Sequence, residues 1–327
     1  MGGTAGTILL PFTELELALM DVLSLIILNV ILPVFLLIGA GAVLHLKYAL
    51  DLTTLAKLNT YLLMPALSFV NVYESSMSAD TLLHVLSFLV VQSAALMLVS
   101  TAISRAAKFE PGLSATFKNS VVLINSGNFG LPVSQLVFQQ NPLGLSIQII
   151  VMIFQNLLTY TYGLYNSVSV NNRGLQAMKV FLRNPVIYAF VAGLLLHLLS
   201  VDIPQSIWTP IDNTADAFLA VALVTLGAQS ASLKLIRFSL PLTLSILGRL
   251  VVSPAIAILV ITALSLEGTT AQALFIASSF PTSRNSSLFA LEYGNHPDYA
   301  AQAVLMSTVF SIVTVTVVVY SAKLLFP

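Results

Sequence analysis

The chain has 327 residues, of which 57% are hydrophobic and only 8% charged, and its 13 Lys and Arg balance 13 Asp and Glu. A water-soluble domain carries about 25% charged residues, so this chain has too little polar surface to cover itself in water, and its solvent is lipid. Zero net charge offers no basic patch to nucleic acid, and the absence of Cys excludes a disulfide framework and a thiolate metal site.

Residues 1–21 contain no Lys or Arg and carry Glu14, Glu16 and Asp21. A secretory signal begins with a basic segment, so this stretch reads as a short external lead into the first span. A bilayer core about 30 Å thick takes about 20 apolar residues as a helix. Ten stretches qualify, near residues 23–46, 53–73, 82–103, 116–138, 146–170, 185–199, 211–229, 240–264, 270–293 and 300–325. The sixth is short unless it reaches back through Leu182.

Lys and Arg set the orientation. Lys47 and Lys57 flank the loop after span 1, and Arg105, Lys108 and Lys118 lie about the loop after span 3. Arg173, Lys179 and Arg183 follow span 5, and Lys234 and Arg237 follow span 7. The loops after spans 2, 4, 6 and 8 have no basic residue and hold Glu74, Asp80, Asp202 and Glu267. The odd loops therefore read as cytoplasmic and both termini as external, with Lys323 the one basic residue against the pattern. Residues 171–184 form the longest cytoplasmic connection, read as a linker or as an amphipathic helix lying on the membrane surface.

This connection divides the chain into halves, 1–170 and 185–327, that resemble each other. Pro142 to Pro297 and Tyr165 to Tyr320 both span 155 residues, and Gly41-x-x-x-His45 in span 1 recurs as Gly193-x-x-x-His197 in span 6. Each half has an odd number of spans, so a duplicated unit crosses the membrane in the opposite sense. The expected fold is an all-α membrane protein of ten transmembrane helices in a 5+5 inverted repeat, an architecture of secondary transporters.

Two spans carry helix-breaking residues at corresponding places. Span 4 holds Asn125-Ser-Gly127-Asn128-Phe-Gly130-Leu-Pro132, and span 9 holds Phe280-Pro281-Thr282-Ser283-Arg284-Asn285-Ser286-Ser287. Gly favours unwinding and Pro removes a backbone donor, while freed backbone groups in hydrocarbon must be satisfied by protein or cavity water. Helices 4 and 9 are therefore expected to be broken and to cross near the midplane, where half-helix N-termini suit an anion. Arg284 at the centre of a span costs about 2.5–3.5 kcal/mol on insertion scales, so it faces water, a ligand or a partner. It reads either as a structural partner of an acid or of carbonyls, or as an anion ligand. Asn285-Ser-Ser is a glycosylation sequon in form, excluded by its depth.

The segments Asn125-x-x-x-x-Gly130-Leu-Pro132, Phe280-Pro281 with Leu288-Phe-Ala-Leu-Glu-Tyr293, and His296-Pro297-Asp298 resemble the auxin efflux carrier family. That family takes in plant PIN-type carriers and bacterial carriers of malate or malonate type. Arg249-x-x-x-x-Pro254 and Phe154-Gln155-x-x-x-x-Tyr160 are similar to their counterparts there, and the likeness covers essentially all ten spans. It implies a scaffold and a transport domain, helices 4 and 9 crossing at the substrate, an elevator-like movement and a homodimer. By motif it gives Asn125 and Pro132 as the crossover pair and Gln155 as a residue lining the substrate site. Arg284 stands where the plant carriers have an apolar residue, and Ser286 where they have a second Pro, so the substrate expected here is a small organic anion rather than auxin itself.

The expected substrate-binding set is Asn125, Gly127, Asn128, Gly130, Pro132, Gln155, Pro281, Thr282, Ser283, Arg284, Asn285 and Ser286. Asn71, Gln92, Asn119, Asn156 and Gln229 read as interhelical hydrogen-bond partners, worth about 1 kcal/mol each. Asp216 reads as a proton or cation site or as a solvated helix-end residue. Arg249 reads as the partner of an acid or as part of the cytoplasmic exit. No metalloprotease motif, phosphate loop or acid–base pair is present, so no enzyme and no cofactor is expected. The expected protein is a secondary carrier of small carboxylates in the plasma membrane, with H⁺ or Na⁺ as candidate coupling ions. The alternative is a channel or a sensor on the same fold.

Overall fold

The computed structural model describes residues 24, 27–74, 78–139, 141–170, 185–231 and 238–327. The expected N-terminal lead, the connection 171–184 and the basic residues Lys234 and Arg237 lie outside the described residues. What is described is helical, and its one strand-like pairing is an isolated antiparallel bridge between Ile124 and Thr282.

In chain order the helices are α1 (Ile27–Tyr48), α2 (52–74), α3 (Ala79–Ala106), α4a (Pro111–Val122), α4b (126–137) and α5 (142–169). There follow α6 (Pro185–Leu198), α7 (Gln205–Ala231), α8 (Leu240–Ala263), α9a (Gly268–Ser278), α9b (Arg284–Tyr293) and α10 (Pro297–Leu325). Among the described residues α1, α3, α5, α7, α8 and α10 are long and apolar enough to cross a membrane, by length and composition.

Local chemistry sets many of the boundaries. Ser78 caps α3 by accepting from Thr81 N–H, and Ser239 caps α8 by accepting from Leu242 N–H. The Glu110 carboxylate caps α4a, accepting from Leu113 N–H at 2.8 Å and Gly112 N–H at 3.0 Å. Those two backbone donors, ahead of His296, hold the Glu110 carboxyl below the usual carboxylate range. Pro111, Pro142 and Pro297 sit in the first turns of their helices, where no N–H is needed. Helix α7 begins earlier than its hydropathy predicts and carries Pro210 inside it. Asp216 is therefore about three turns into the helix, and it is exposed.

The helices form two packed groups. In one, α1 packs along α7, and α2 packs along α6 and the first part of α7. In the other, α3, α4, α5, α8, α9 and α10 pack chiefly on one another. The first group contains two matching close approaches. A Cβ on Gly41 of α1 would stand 2.1 Å from the carbonyl oxygen of Val224 in α7, and one on Gly193 of α6 would stand 2.8 Å from that of Phe69 in α2. Phe69 and Val224 are 155 residues apart, the spacing that separates Pro142 from Pro297.

The connections also bond in two sets. Asn141 Nδ2 donates to Thr269 Oγ1 at 2.9 Å, joining the connection after α4b to the first turn of α9a, beside the connection after α8. Tyr73 Oη donates to the Val201 carbonyl at 2.9 Å, joining the end of α2 to the connection after α6. At the other end of α4, His296 Nε2 meets Glu110 Oε1 at 2.5 Å, and Asn295 Nδ2 donates to the Ser167 carbonyl at 2.8 Å. These contacts join the connections after α3 and α9 to each other and to the last turns of α5. Among the described residues these bonds group the ends beside even-numbered connections with one another, and the ends beside the connections after α3 and α9 with the end of α5.

Candidate functional site

The breaks in helices 4 and 9 meet. Asn125 N–H donates to the Pro281 carbonyl and Ser283 N–H to the Leu123 carbonyl, both at 2.8 Å. Each interrupted chain thereby satisfies backbone groups that the other has freed, as buried backbone requires. Thr282 secures the crossing from both sides, donating its hydroxyl to the Ser120 carbonyl at 2.8 Å and its N–H to Ser307 Oγ at 3.0 Å. The rings of Phe129 and Phe280 pack edge to face, with centroids 5.9 Å apart. Gly130 is required by this contact, since a Cβ there would stand 2.7 Å from the Phe280 ring.

A cavity of about 170 Å³ lies against the crossing. The N-terminal turns of α4b and α9b form one wall, through Asn125, Ser126, Gly127 and Asn128 on one side and Ser283, Arg284 and Asn285 on the other. The opposite walls are α2, with Ala56, Asn59, Thr60 and Met64, and α5, with Gln155, Asn156 and Thr159. Three helical turns that widen to the i→i+5 pattern supply residues here: Asn59–Leu63, Ser126–Gly130 and Thr159–Gly163. Such widening disturbs the regular backbone ladder and is frequent at functional sites.

The lining is polar and only partly self-satisfied. Asn59 Nδ2 donates to Thr225 Oγ1 of α7 at 2.9 Å, and Gln148 Nε2 donates to the Ser126 carbonyl at 3.0 Å. Asn59 Oδ1, Asn125 Nδ2, Asn128 Oδ1 and Gln155 Oε1 are buried and have no hydrogen-bond partner among the described residues. Burying such groups unpaired costs about 1–3 kcal/mol apiece, and a ligand that pairs them recovers it. The first turn of a helix adds N–H groups without intrahelical partners and a positive dipole end, here twice over.

A second cavity of about 650 Å³ shares Ala56, Thr60 and Arg284 with the first. Leu226, Leu288, Leu291 and Val304 give it apolar walls, and Lys57, Gln229 and Asp298 give it polar ones. It reaches the starts of α2 and α10, on the side of the odd-numbered connections.

Of the residues expected from sequence, Asn125, Gly127, Asn128, Gln155, Ser283, Arg284 and Asn285 line the smaller cavity. The others support it. Gly130 packs against the Phe280 ring, and Pro132 is buried in the turn that follows. The Pro281 carbonyl and Thr282 tie the two breaks together, and Ser286 Oγ donates to the Ser283 carbonyl at 2.8 Å within α9b. The α2 residues Asn59, Thr60 and Met64 were not expected. Asn59 is one of several polar residues in its span, with Thr60, Ser68 and Asn71, and it stands out only once α2 is known to face the crossing. Arg249, read as an acid's partner or an exit residue, instead bonds backbone carbonyls at the crossing.

A family model described as membrane transport protein matches residues 26–319. The chain belongs to the membrane transport protein family. This family contains the auxin efflux carriers whose motifs the crossover residues resemble. An uncharacterised transporter of Methanothermobacter thermautotrophicus is 24% identical over 301 residues, covering 90% of this chain and 94% of that one. Family and composition together make the chain an integral membrane transporter.

Proposed function

We propose that this membrane transport protein is a secondary carrier of small organic anions, carboxylates above all, bound in the cavity at the helix crossing. The observation that carries this reading is the convergence of two half-helix N-termini and Arg284 on one polar cavity of about 170 Å³. That volume is below the roughly 300–1,000 Å³ of drug-sized pockets and suits a metabolite of a few carbons. The guanidinium of Arg284 is permanently charged and forks to a carboxylate through two parallel N–H···O bonds. Asn125, Asn128 and Gln155 carry both donors and acceptors, so they orient the neutral part of the ligand.

The transport cycle in this reading is elevator-like alternating access on ten membrane-spanning helices in a 5+5 inverted repeat. The paired approaches of Gly41 and Gly193, and the separate bonding of helix ends beside even and odd connections, support that arrangement. The cavity lies where α2 faces α4, α5 and α9, so a slide of the larger group along α1, α2, α6 and α7 would carry the ligand with it. With the basic, odd-numbered connections cytoplasmic and both termini outside, the cavity of about 650 Å³ is the open path to the cytoplasm. The plasma membrane, a homodimer and coupling to H⁺ or Na⁺ complete the proposal.

The test is uptake of malonate, malate and indole-3-acetate into proteoliposomes, beside thermal shift of the purified protein with each anion. Uptake that saturates, and a melt raised by a bound carboxylate, are expected. Flux that rises linearly with concentration at channel rates, or a melt indifferent to every anion tried, would overturn the carrier reading.

A further inference from the structure

The other face of the crossing is built differently. Arg249 is 1% exposed and lies in the widened turn Gly248–Val252 of α8. Its Nη1 donates to the Val121 carbonyl at 2.8 Å, and its Nη2 donates to the Ser278 carbonyl at 2.6 Å and to Ser253 Oγ. Ser253 Oγ in turn donates to the Ser278 carbonyl at 2.8 Å, and Gln92 Nε2 donates to the Ser253 carbonyl at 2.8 Å. Val121 lies in the last turn of α4a, and Ser278 ends α9a. Both half-helices stop here with carbonyls that have no partner within the helix, and both dipoles present their negative ends. One guanidinium meets both.

Arg249 also reaches toward the candidate site. With Gln92 and Gln155 it lines a cavity of about 20 Å³. Arg249 Nε, Gln92 Oε1 and Gln155 Oε1 are buried without a partner among the described residues. A water needs roughly 10–15 Å³ of such space and typically makes three hydrogen bonds. One N–H donor and two carbonyl acceptors match that requirement, and Gln155 lines the larger polar cavity on its other side.

We propose that Arg249 is the built-in cation of the crossing, neutralising the C-terminal ends of α4a and α9a and thereby holding the N-terminal ends of α4b and α9b in place to receive the ligand. A single water between Arg249, Gln92 and Gln155 links this cation to the candidate site. Arg249 is a positioning residue in this account, and only the binding readout below rests on the anion-carrier reading.

The experiment uses the full chain in detergent, with Arg249→Ala, Arg249→Met and Arg249→Lys. Melts are recorded without any transport ligand, in guanidinium chloride and in sodium chloride at equal low millimolar concentration. Arg249→Ala should melt lower than the parent by roughly 5–10 °C, because it leaves buried carbonyls unpaired. Guanidinium should recover several degrees of that loss over sodium. It should not move the parent or Arg249→Met, whose side chain fills the space without a charge. Malonate affinity, by calorimetry, should fall about tenfold in Arg249→Ala and return with guanidinium. Arg249→Lys should melt between the parent and Arg249→Met, and it decides the question if the Ala variant does not fold. No advantage of guanidinium over sodium in a folded Ala variant would overturn the proposal. So would an Arg249→Met protein that melts and binds as the parent does, or a Lys variant no better than Met. Should the parent bind none of malonate, malate and indole-3-acetate, the carrier reading fails while the melts still judge Arg249.

Discussion

The two faces of the helix crossing use the same broken backbone to opposite ends. On one face the C-termini of α4a and α9a are closed off by Arg249, whose Nη atoms bond Val121, Ser278 and Ser253. On the other face the N-termini of α4b and α9b meet a cavity of about 170 Å³, where Asn125 and Asn128 have buried polar atoms without a partner among the described residues. A helix break always yields one positive and one negative end. Here Arg249 bonds carbonyls at the negative ends, and the positive ends face a polar cavity, the site of the proposed ligand. Substitutions on the first face should cost stability, and those on the second should cost binding.

The strongest test of that contrast on the open face is Arg284→Ala. It should weaken malonate binding roughly ten- to a hundredfold, following the about 1.5–3 kcal/mol of a charge-assisted hydrogen bond. Its ligand-free melt should fall far less than that of Arg249→Ala. A variant that binds as the parent does and melts much lower would make Arg284 a structural partner instead, and would leave the site to Asn125, Gln155 and the helix ends.

Gly130→Val probes the packing that holds the open face in shape. Its added Cβ would stand 2.7 Å from the Phe280 ring, so destabilisation of about 1–3 kcal/mol is expected. Phe280→Leu in the same chain should restore part of the melt. Failure of that rescue would separate Gly130 from the Phe129–Phe280 contact.

Asn128→Ala removes an acceptor that has no partner among the described residues. Its ligand-free melt should not fall below the parent's, since an unpaired buried acceptor is removed, while malonate binding should weaken severalfold, from about 0.5–1.5 kcal/mol. A loss of melt without loss of binding would erase the distinction between the faces.

The smallest effect belongs to Glu110, outside both faces, whose carboxyl is held low by the N–H groups of Leu113 and Gly112. A lowered folded value means that the cap stabilises fully above the unfolded carboxyl value of about 4.3 and loses that effect as pH falls through the folded value. Glu110→Gln should therefore melt about 1–2 °C below the parent at neutral pH, with the gap closing in acid. A gap that is constant with pH would show that the carboxylate charge is not what caps the helix.

How far the sequence could be read depended on whether a signal was local. Gly127, Gly130, Pro132 and Pro281 announce two helix breaks because the backbone consequences of Gly and Pro do not depend on distant partners. Arg284 within an apolar span marks a polar environment for the same reason, since a charge in hydrocarbon is costly wherever the helix packs. Low charge and long apolar stretches assign the chain to lipid before any fold is known.

Which partner each residue meets was a tertiary matter. Arg249 is as conspicuous in sequence as Arg284, yet one bonds the carbonyl ends of α4a and α9a and the other lines the cavity at the N-terminal ends of α4b and α9b. Asn59 and Asn119 are both amides in apolar spans. Asn59 lines the cavity, while Asn119 donates to the Gly163 carbonyl and Ser167 Oγ as a link between helices. Composition and breaking residues determine the solvent and the places where helices stop, because both act through the chain's own backbone. The division of the crossing into a filled face and an open one depends on which turn of α8, α2 and α5 comes to rest against it, and only packing between residues far apart in sequence decides that.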